Sequence, residues 1–222
     1  MSYNIFKKRA ILFLSLIVLT IPALAQTIGV QLYSFRNQFK TDVPGTLEKI
    51  AAMGIKEVEG GDSYGMPVTD FKALLKKHDL KVVSVGADFK QLSENPDKAV
   101  ETAKTYGAKY VMVAWIPHGE RFTIEDAKNA VEVFNKAGRI LKENGISLCY
   151  HAHGYEFLPY ENGTIFDYMA KHMNPAYANF EMDVFWVKHP GYDPVALLKK
   201  YPNRFPLMHL KDRLPGTEGN QK

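Results

Sequence analysis

The sequence predicts an α/β chain of the (β/α)8 TIM-barrel type that lacks its eighth strand–helix unit. Three observations carry this. Seven short apolar, β-branched runs alternate with helical stretches, without long polar gaps, as in a parallel sheet wrapped by helices. Three helix ends pass through a glycine straight into the next strand, at Gly54-Ile55-Lys56, Gly107-Ala108-Lys109 and Gly145-Ile146-Ser147. Glycine supplies the left-handed turn that returns the chain to the sheet. Finally, three late strand ends carry metal-type side chains: Tyr150-His151-Ala152-His153, Phe180-Glu181-Met182-Asp183 and Met208-His209-Leu210-Lys211-Asp212. In a barrel all strand C-terminal ends open on one face, where chemistry is done.

The first 25 residues stand outside this pattern. Lys7, Lys8 and Arg9 precede an apolar run from Ala10 to Ile21, and Ala23-Leu24-Ala25 forms a small-residue cleavage site before Gln26. That is a secretory leader; a membrane span needs about 20 apolar residues. The expectation is therefore a signal peptide over 1–25 and one barrel domain over 26–222. The product is exported, to a bacterial periplasm, with no stable membrane anchor after cleavage. The whole chain has 28 Lys+Arg and 24 Asp+Glu. The leader takes three basic residues and no acidic one, so the remainder carries a balance of +1 and gives no basic surface for nucleic acid. The single cysteine, Cys149, excludes an intramolecular disulfide, so core burial must hold the fold.

The strands are expected at 28–33, 55–59, 81–86, 109–115, 146–151, 178–183 and 206–210. Pro44 suits a first helical turn that Gly54 closes. Asn95-Pro96 opens a helix that stops at Gly107. Thr123 caps a long helix ending at Asn144-Gly145, and Asp193-Pro194 opens another. A closed barrel takes about 250 residues, so seven strands read as a barrel short of its last unit. An open doubly wound sheet is the alternative. It is disfavoured because the first strand leads into Tyr33-Ser34-Phe35-Arg36 rather than a G-x-G-x-x-G phosphate loop.

Strand alternation sorts the side chains. Ile146, Leu148 and Tyr150 share the face toward the helices, whereas Ser147, Cys149, His151 and His153 face the axis and mouth. Asp183 shares parity with Glu181, and His209 with Leu207 and Lys211. Glu57 and Glu59 share a face of the second strand, with Glu59 nearer the mouth. His151, Asp183 and His209 on three strands make a divalent-metal set that suits Zn2+, Mn2+, Fe2+ or Co2+. Lys211 is expected to bind an anionic oxygen. Trp186 and Trp115 offer apolar walls for a sugar ring, Glu59 a polar group at the mouth, and Arg36 a weak oxyanion contact. His118 is expected to be simply exposed, and His78, His172 and His189 to lie on the surface.

These residues resemble a known family. Gly29-Val30-Gln31-Leu32-Tyr33-Ser34, Gly54-Ile55-Lys56-Glu57-Val58-Glu59, Tyr150-His151-Ala152-His153-Gly154-Tyr155-Glu156-Phe157, Asp183-Val184-Phe185-Trp186 and His209-Leu210-Lys211-Asp212 are similar, in order, to the sugar phosphate isomerase/epimerase family. The resemblance implies the xylose isomerase-like TIM barrel, with one ion held by Glu, Asp, His and Glu on strands five to eight. The Asp falls on Asp183 and the His on His209. His151 occupies the fifth-strand Glu position, and the eighth-strand Glu has no counterpart.

The resemblance further implies a metal-dependent isomerase, epimerase or lyase acting on a small-molecule carbohydrate or keto-sugar. His151 or His153 would move the proton next to a metal-polarised oxygen, with Lys211 beside them. The alternative is a truncated, non-catalytic barrel or a weak carbohydrate-binding protein. A nuclease sharing the same barrel needs more metal ligands and a basic groove, so no nucleic-acid partner is expected. The sequence leaves oligomeric state open.

Overall fold

The computed structural model describes residues 27–212; the expected leader and the tail from residue 213 lie outside the described residues. All seven expected strands form. They are β1 (Gly29–Gln31), β2 (Glu57–Gly60), β3 (Lys81–Gly86), β4 (Tyr110–Val113) and β5 (Ser147–His151), then β8 (Ala178–Asp183) and β9 (Leu207–His209). Between β5 and β8 lies a small antiparallel hairpin, β6 (Pro159–Tyr160) with β7 (Gly163–Thr164). The seven strands make one parallel sheet in the order β1-β2-β3-β4-β5-β8-β9. Each new strand is added on the same edge. A doubly wound sheet would reverse that order, so the barrel reading holds.

Two strand ends differ from expectation. After Gln31 the chain tightens into a 3-10 turn over Leu32–Phe35. The fourth strand ends at Val113, so Trp115 stands in the following loop rather than on the strand.

The helices are α1 (Arg36–Phe39), α2 (Val43–Ala52), α3 (Val68–Lys77), α4 (Phe89–Glu94), α5 (Pro96–Tyr106), α6 (Ile124–Glu143), α7 (Ile165–His172), α8 (Val184–Lys188) and α9 (Pro194–Lys200). Their ends follow local chemistry. Asp42 caps α2 by accepting from the Gly45 N–H, with Pro44 in the first turn. Thr123 and Asp126 form a reciprocal capping box on α6, and Asp193 caps α9. Asn95 begins α5 and also closes the unforeseen α4, and its side chain makes no capping bond. Gly54, Gly107 and Gly145 all adopt positive φ where the chain turns into a strand. Among the described residues, no helix is long and apolar enough to cross a membrane.

The core lies between sheet and helices. Tyr150, Phe134, Phe166 and Phe180 are fully buried there, with Phe134 of α6 tilted against Tyr150 of β5 at 5.2 Å. Tyr150 thus faces the helices, which turns His151 inward. The interior face of the sheet is not uniformly apolar: Glu59, Ser84, Cys149, His151, Glu181 and Asp183 are all buried.

Candidate functional site

The site begins with register. On β5 and β8, His151 pairs with Glu181; on β8 and β9, Asp183 pairs with His209. Three adjacent strands therefore deliver these four side chains to one stretch of the interior. Glu59 reaches them from β2, on the far side of the curled sheet.

The contacts are short. His151 Nδ1 lies 2.8 Å from Glu181 Oε2, and its Nε2 lies 3.5 Å from Asp183 Oδ2. His209 Nε2 sits 3.1 Å from Glu59 Oε1 and 3.4 Å from Glu181 Oε1. Gln31 on β1 donates to Glu59 Oε1 at 2.9 Å. Two donor sets result, each with ligand atoms within 4.8 Å of one another: His151, Asp183 and His209, and then Glu59, Glu181 and His209.

Burial and charge set the ionisation states. Burial alone would hold the His151 ring neutral, but the Asp183 and Glu181 carboxylates on its two nitrogens outweigh it and raise its pKa to about 9. His153, two residues on, is pushed down to about 4 by burial and by the neighbouring His151 charge. Burial opposes the charge on Asp183, but the hydrogen bond to His151 wins and holds it below the usual carboxylate range. Glu59 is likewise held low by His209 against its burial, whereas Glu181 is raised by burial and by the facing Glu59 charge. These are the perturbations that functional carboxylate–histidine clusters show.

An aromatic rim surrounds the cluster. The His153 ring lies 5.3 Å from Trp186 and 6.4 Å from Trp115. Trp115 is 53% exposed. Lys211 Nζ is 3.9 Å from Asp183 Oδ2 and rests over the rings of Phe185 and Trp186 at 4.4 and 4.6 Å. Of the residues singled out from the sequence, His151, His153, Asp183, His209, Lys211, Glu59, Trp186 and Trp115 thus converge. Arg36 does not join them; it is exposed, donates to the Tyr33 carbonyl at 3.0 Å and lies over the Tyr33 ring.

Two histidines depart from expectation. His118 is half-buried rather than simply exposed, because the loop after β4 folds over the β5 loop. Its ring packs against Trp115 at 4.6 Å and Tyr155 at 4.4 Å, with Nδ1 2.7 Å from the Ile116 carbonyl oxygen. His189 stacks on Phe185 with its Nδ1 buried. His78 and His172 do lie toward the surface.

Sequence reasoning gave Glu181 no role, although its parity with Asp183 placed it on the same face one pleat deeper. It also missed Glu156. That carboxylate is fully buried and accepts from the Tyr150 hydroxyl and, at 3.1 Å, from the His153 backbone N–H. It anchors the turn that carries His153. Two cavities, of about 110 and 330 Å³, lie elsewhere; one is lined by residues such as Phe157 and Tyr192, the other by Asp62 and Tyr106.

Comparison with known proteins gives the family of the fold. A family described as xylose isomerase-like TIM barrel matches residues 47–221. An inosose dehydratase of Geobacillus kaustophilus (strain HTA426) is 24% identical over 216 residues, covering 83% of this chain and 68% of that protein. Across the inosose dehydratases matched, the chain spans between 61% and 68% of their length. A crystal structure of a sugar phosphate isomerase/epimerase from Parabacteroides distasonis ATCC 8503 superposes with a TM-score of 0.74 at 28% identity, covering 91% of this chain and 81% of that one. The IOLI protein, solved with a zinc atom, superposes at 0.63 with 14% identity, covering 82% and 72%, and shares the fold.

Proposed function

The chain belongs to the xylose isomerase-like TIM-barrel family, and from that premise we propose that it is a metal-dependent isomerase, epimerase or lyase of keto-sugars. One observation carries the proposal: buried carboxylates and the buried His151 from β2, β5 and β8 meet the half-buried His209 of β9 at one place in the barrel interior. A barrel interior of this kind is ordinarily filled with Val, Ile and Leu.

The residues fit a divalent ion. Their donor set is mixed imidazole and carboxylate, with atoms close enough to share one centre, and His151, Asp183 and His209 would hold it. The zinc atom in the IOLI protein supports an ion in a barrel of this type. When bound, such an ion acts as a Lewis acid on a carbonyl or hydroxyl oxygen.

The chain's own groups supply the rest. His153, held neutral at pH 7, accepts the proton next to the sugar carbonyl. Lys211, beside Asp183, puts a positive charge near the oxygen that becomes negative as that proton leaves. Trp115 and Trp186 flank His153 and present flat faces to the apolar side of a sugar ring. Removal of water next to a carbonyl begins with the same proton abstraction, which agrees with the dehydratase name of the matched relatives. We propose further that the leader-like segment over 1–25 directs export, where sugar phosphates are few, and that the substrate is therefore unphosphorylated.

The test is thermal unfolding of the chain with and without Mn2+ or Zn2+, beside Asp183→Ala, together with turnover on a panel of keto-sugars. Metal at a hundred times its Kd stabilises the parent by about 2.7 kcal/mol and raises its Tm. The variant should show no such rise and should lose turnover by roughly 100-fold or more. Undiminished turnover in Asp183→Ala would sink the proposal. Sugar binding without turnover across the panel would instead favour a carbohydrate-binding protein.

A further inference from the structure

We propose that Glu181 is the positioning residue of this centre, fixing the ring of His151 so that Nε2 is directed at Asp183. The inference rests on the metal reading above and adds a residue to it.

The argument is geometric. Glu181 lies on β8, two residues before Asp183 and on the same face, so it sits one pleat deeper in the barrel. Register puts it directly opposite His151 on β5. Its Oε2 takes the His151 Nδ1 at 2.8 Å. With that nitrogen engaged, the ring plane is set, and Nε2 points outward to Asp183 Oδ2 at 3.5 Å. The second oxygen of Glu181 faces His209 Nε2 at 3.4 Å. One carboxylate thus touches an imidazole on each of its neighbouring strands. A carboxylate on the far nitrogen of a ligand histidine fixes its tautomer and orientation and raises its basicity; losing such a partner costs about 10- to 100-fold in metal affinity.

A purely structural role accounts poorly for this residue. Only 2% of Glu181 is exposed, and a buried carboxylate is expensive unless its partners require it. An apolar side chain would fill the space in the barrel more cheaply. The neighbouring inward groups offer Glu181 no other cation: Glu59 faces it with like charge. Cys149 is an uncharged thiol, and Glu59 is engaged by Gln31 and His209.

The experiment compares the parent with Glu181→Gln and Glu181→Leu, by two readouts. The first is Zn2+ affinity, by competition with a chromophoric chelator. The second is the Nδ1 proton of His151 in histidine NMR spectra of chelator-treated protein, assigned with His151→Gln. Circular dichroism verifies folding, and the near-isosteric Gln variant covers the case in which Leu fails to fold. We expect a slowly exchanging His151 Nδ1 proton in the parent, weakened in Glu181→Gln and lost in Glu181→Leu. Zn2+ affinity should fall about 10- to 100-fold in the folded variants. Parent-like affinity and an unchanged Nδ1 proton in Glu181→Gln would overturn the inference. If the parent itself binds no Zn2+, the metal reading fails. The Nδ1 proton then decides the positioning role alone: its dependence on Glu181 upholds the role, and its absence from the parent overturns it.

Discussion

His151 and His153 are two residues apart on one strand end, yet their surroundings drive them in opposite directions. His151 has a carboxylate on each nitrogen and reaches a pKa of about 9; His153, among aromatic rings and beside that positive charge, falls to about 4. Each shift has a stability consequence once metal is removed by a chelator. The unfolded chain binds a proton at His153 below about 6.5, whereas the folded chain resists it down to about 4. His153 therefore makes stability fall as pH drops from 6.5 to 4. His151 acts at the other end: its raised pKa stabilises the fold below about 6.5, and that contribution fades as pH rises through 9. Denaturant unfolding across pH should show the acid limb flattened in His153→Phe and the alkaline limb kept. An acid limb unchanged in the variant would mean that His153 binds its proton equally in the folded and unfolded chain, and the lowering ascribed to burial and to His151 would be lost.

At the scale of elements, α6 shows local preference and tertiary packing in conflict. Its capping box and its apolar stripe of Ala127, Ala130, Val131, Phe134 and Leu141 both favour the helix. Gly138 in its interior does not; on propensity alone, Gly138→Ala should stabilise by about 1 kcal/mol. The structure gives the opposite sign. A Cβ at Gly138 would sit 2.5 Å from the Tyr177 carbonyl oxygen, in the turn just before β8, and that neighbour is backbone. Gly138→Ala should therefore destabilise, by about 1–3 kcal/mol, because helix and turn must separate. A chevron or equilibrium denaturation of the variant reads the sign directly. Gly154 serves a similar purpose nearer the site. Its φ of +93° and its closeness to the Trp186 carbonyl let the His153 loop lie against α8.

At the scale of the molecule, the sheet curls far enough for its seventh strand to touch its second. His209 on β9 meets Glu59 on β2, although the two strands are not sheet neighbours. Yet β9 is only three residues long and, among the described residues, pairs on one side alone; Met208 is 39% exposed and Leu210 beside it 81%. Its amides, with those of β1, the other three-residue edge, should be the least protected of the sheet in hydrogen exchange. An ion held by His151, Asp183 and His209 would tie β9 to β5 and β8. Adding Zn2+ should therefore slow β9 exchange in the parent and leave Asp183→Ala unchanged. Equal exchange with and without Zn2+ in the parent would show that the ion does not engage His209.

The sequence by itself determined the alternating parallel architecture, the helix ends at Gly54, Gly107 and Gly145, and the facing of His151 and Asp183. Each depends on a signal local in the chain: a period of two, a cap or a positive-φ glycine. Strand parity was enough to send Tyr150 outward and His151 inward. Only the tertiary structure decided which inward groups meet. Glu59 and His209 are 150 residues apart in sequence, and their contact follows from sheet curvature, which no local pattern encodes. The same holds for Glu181, whose parity was legible but whose bond to His151 and contact with His209 depend on strand register. Trp115 was expected at the end of its strand and Arg36 just after one, and both stand beyond the strand ends. The path of each loop brought the tryptophan to the rim and turned the arginine back on Tyr33. Local patterns fix which face a side chain takes; curvature and register fix its neighbours, and the chemistry proposed here depends on those neighbours.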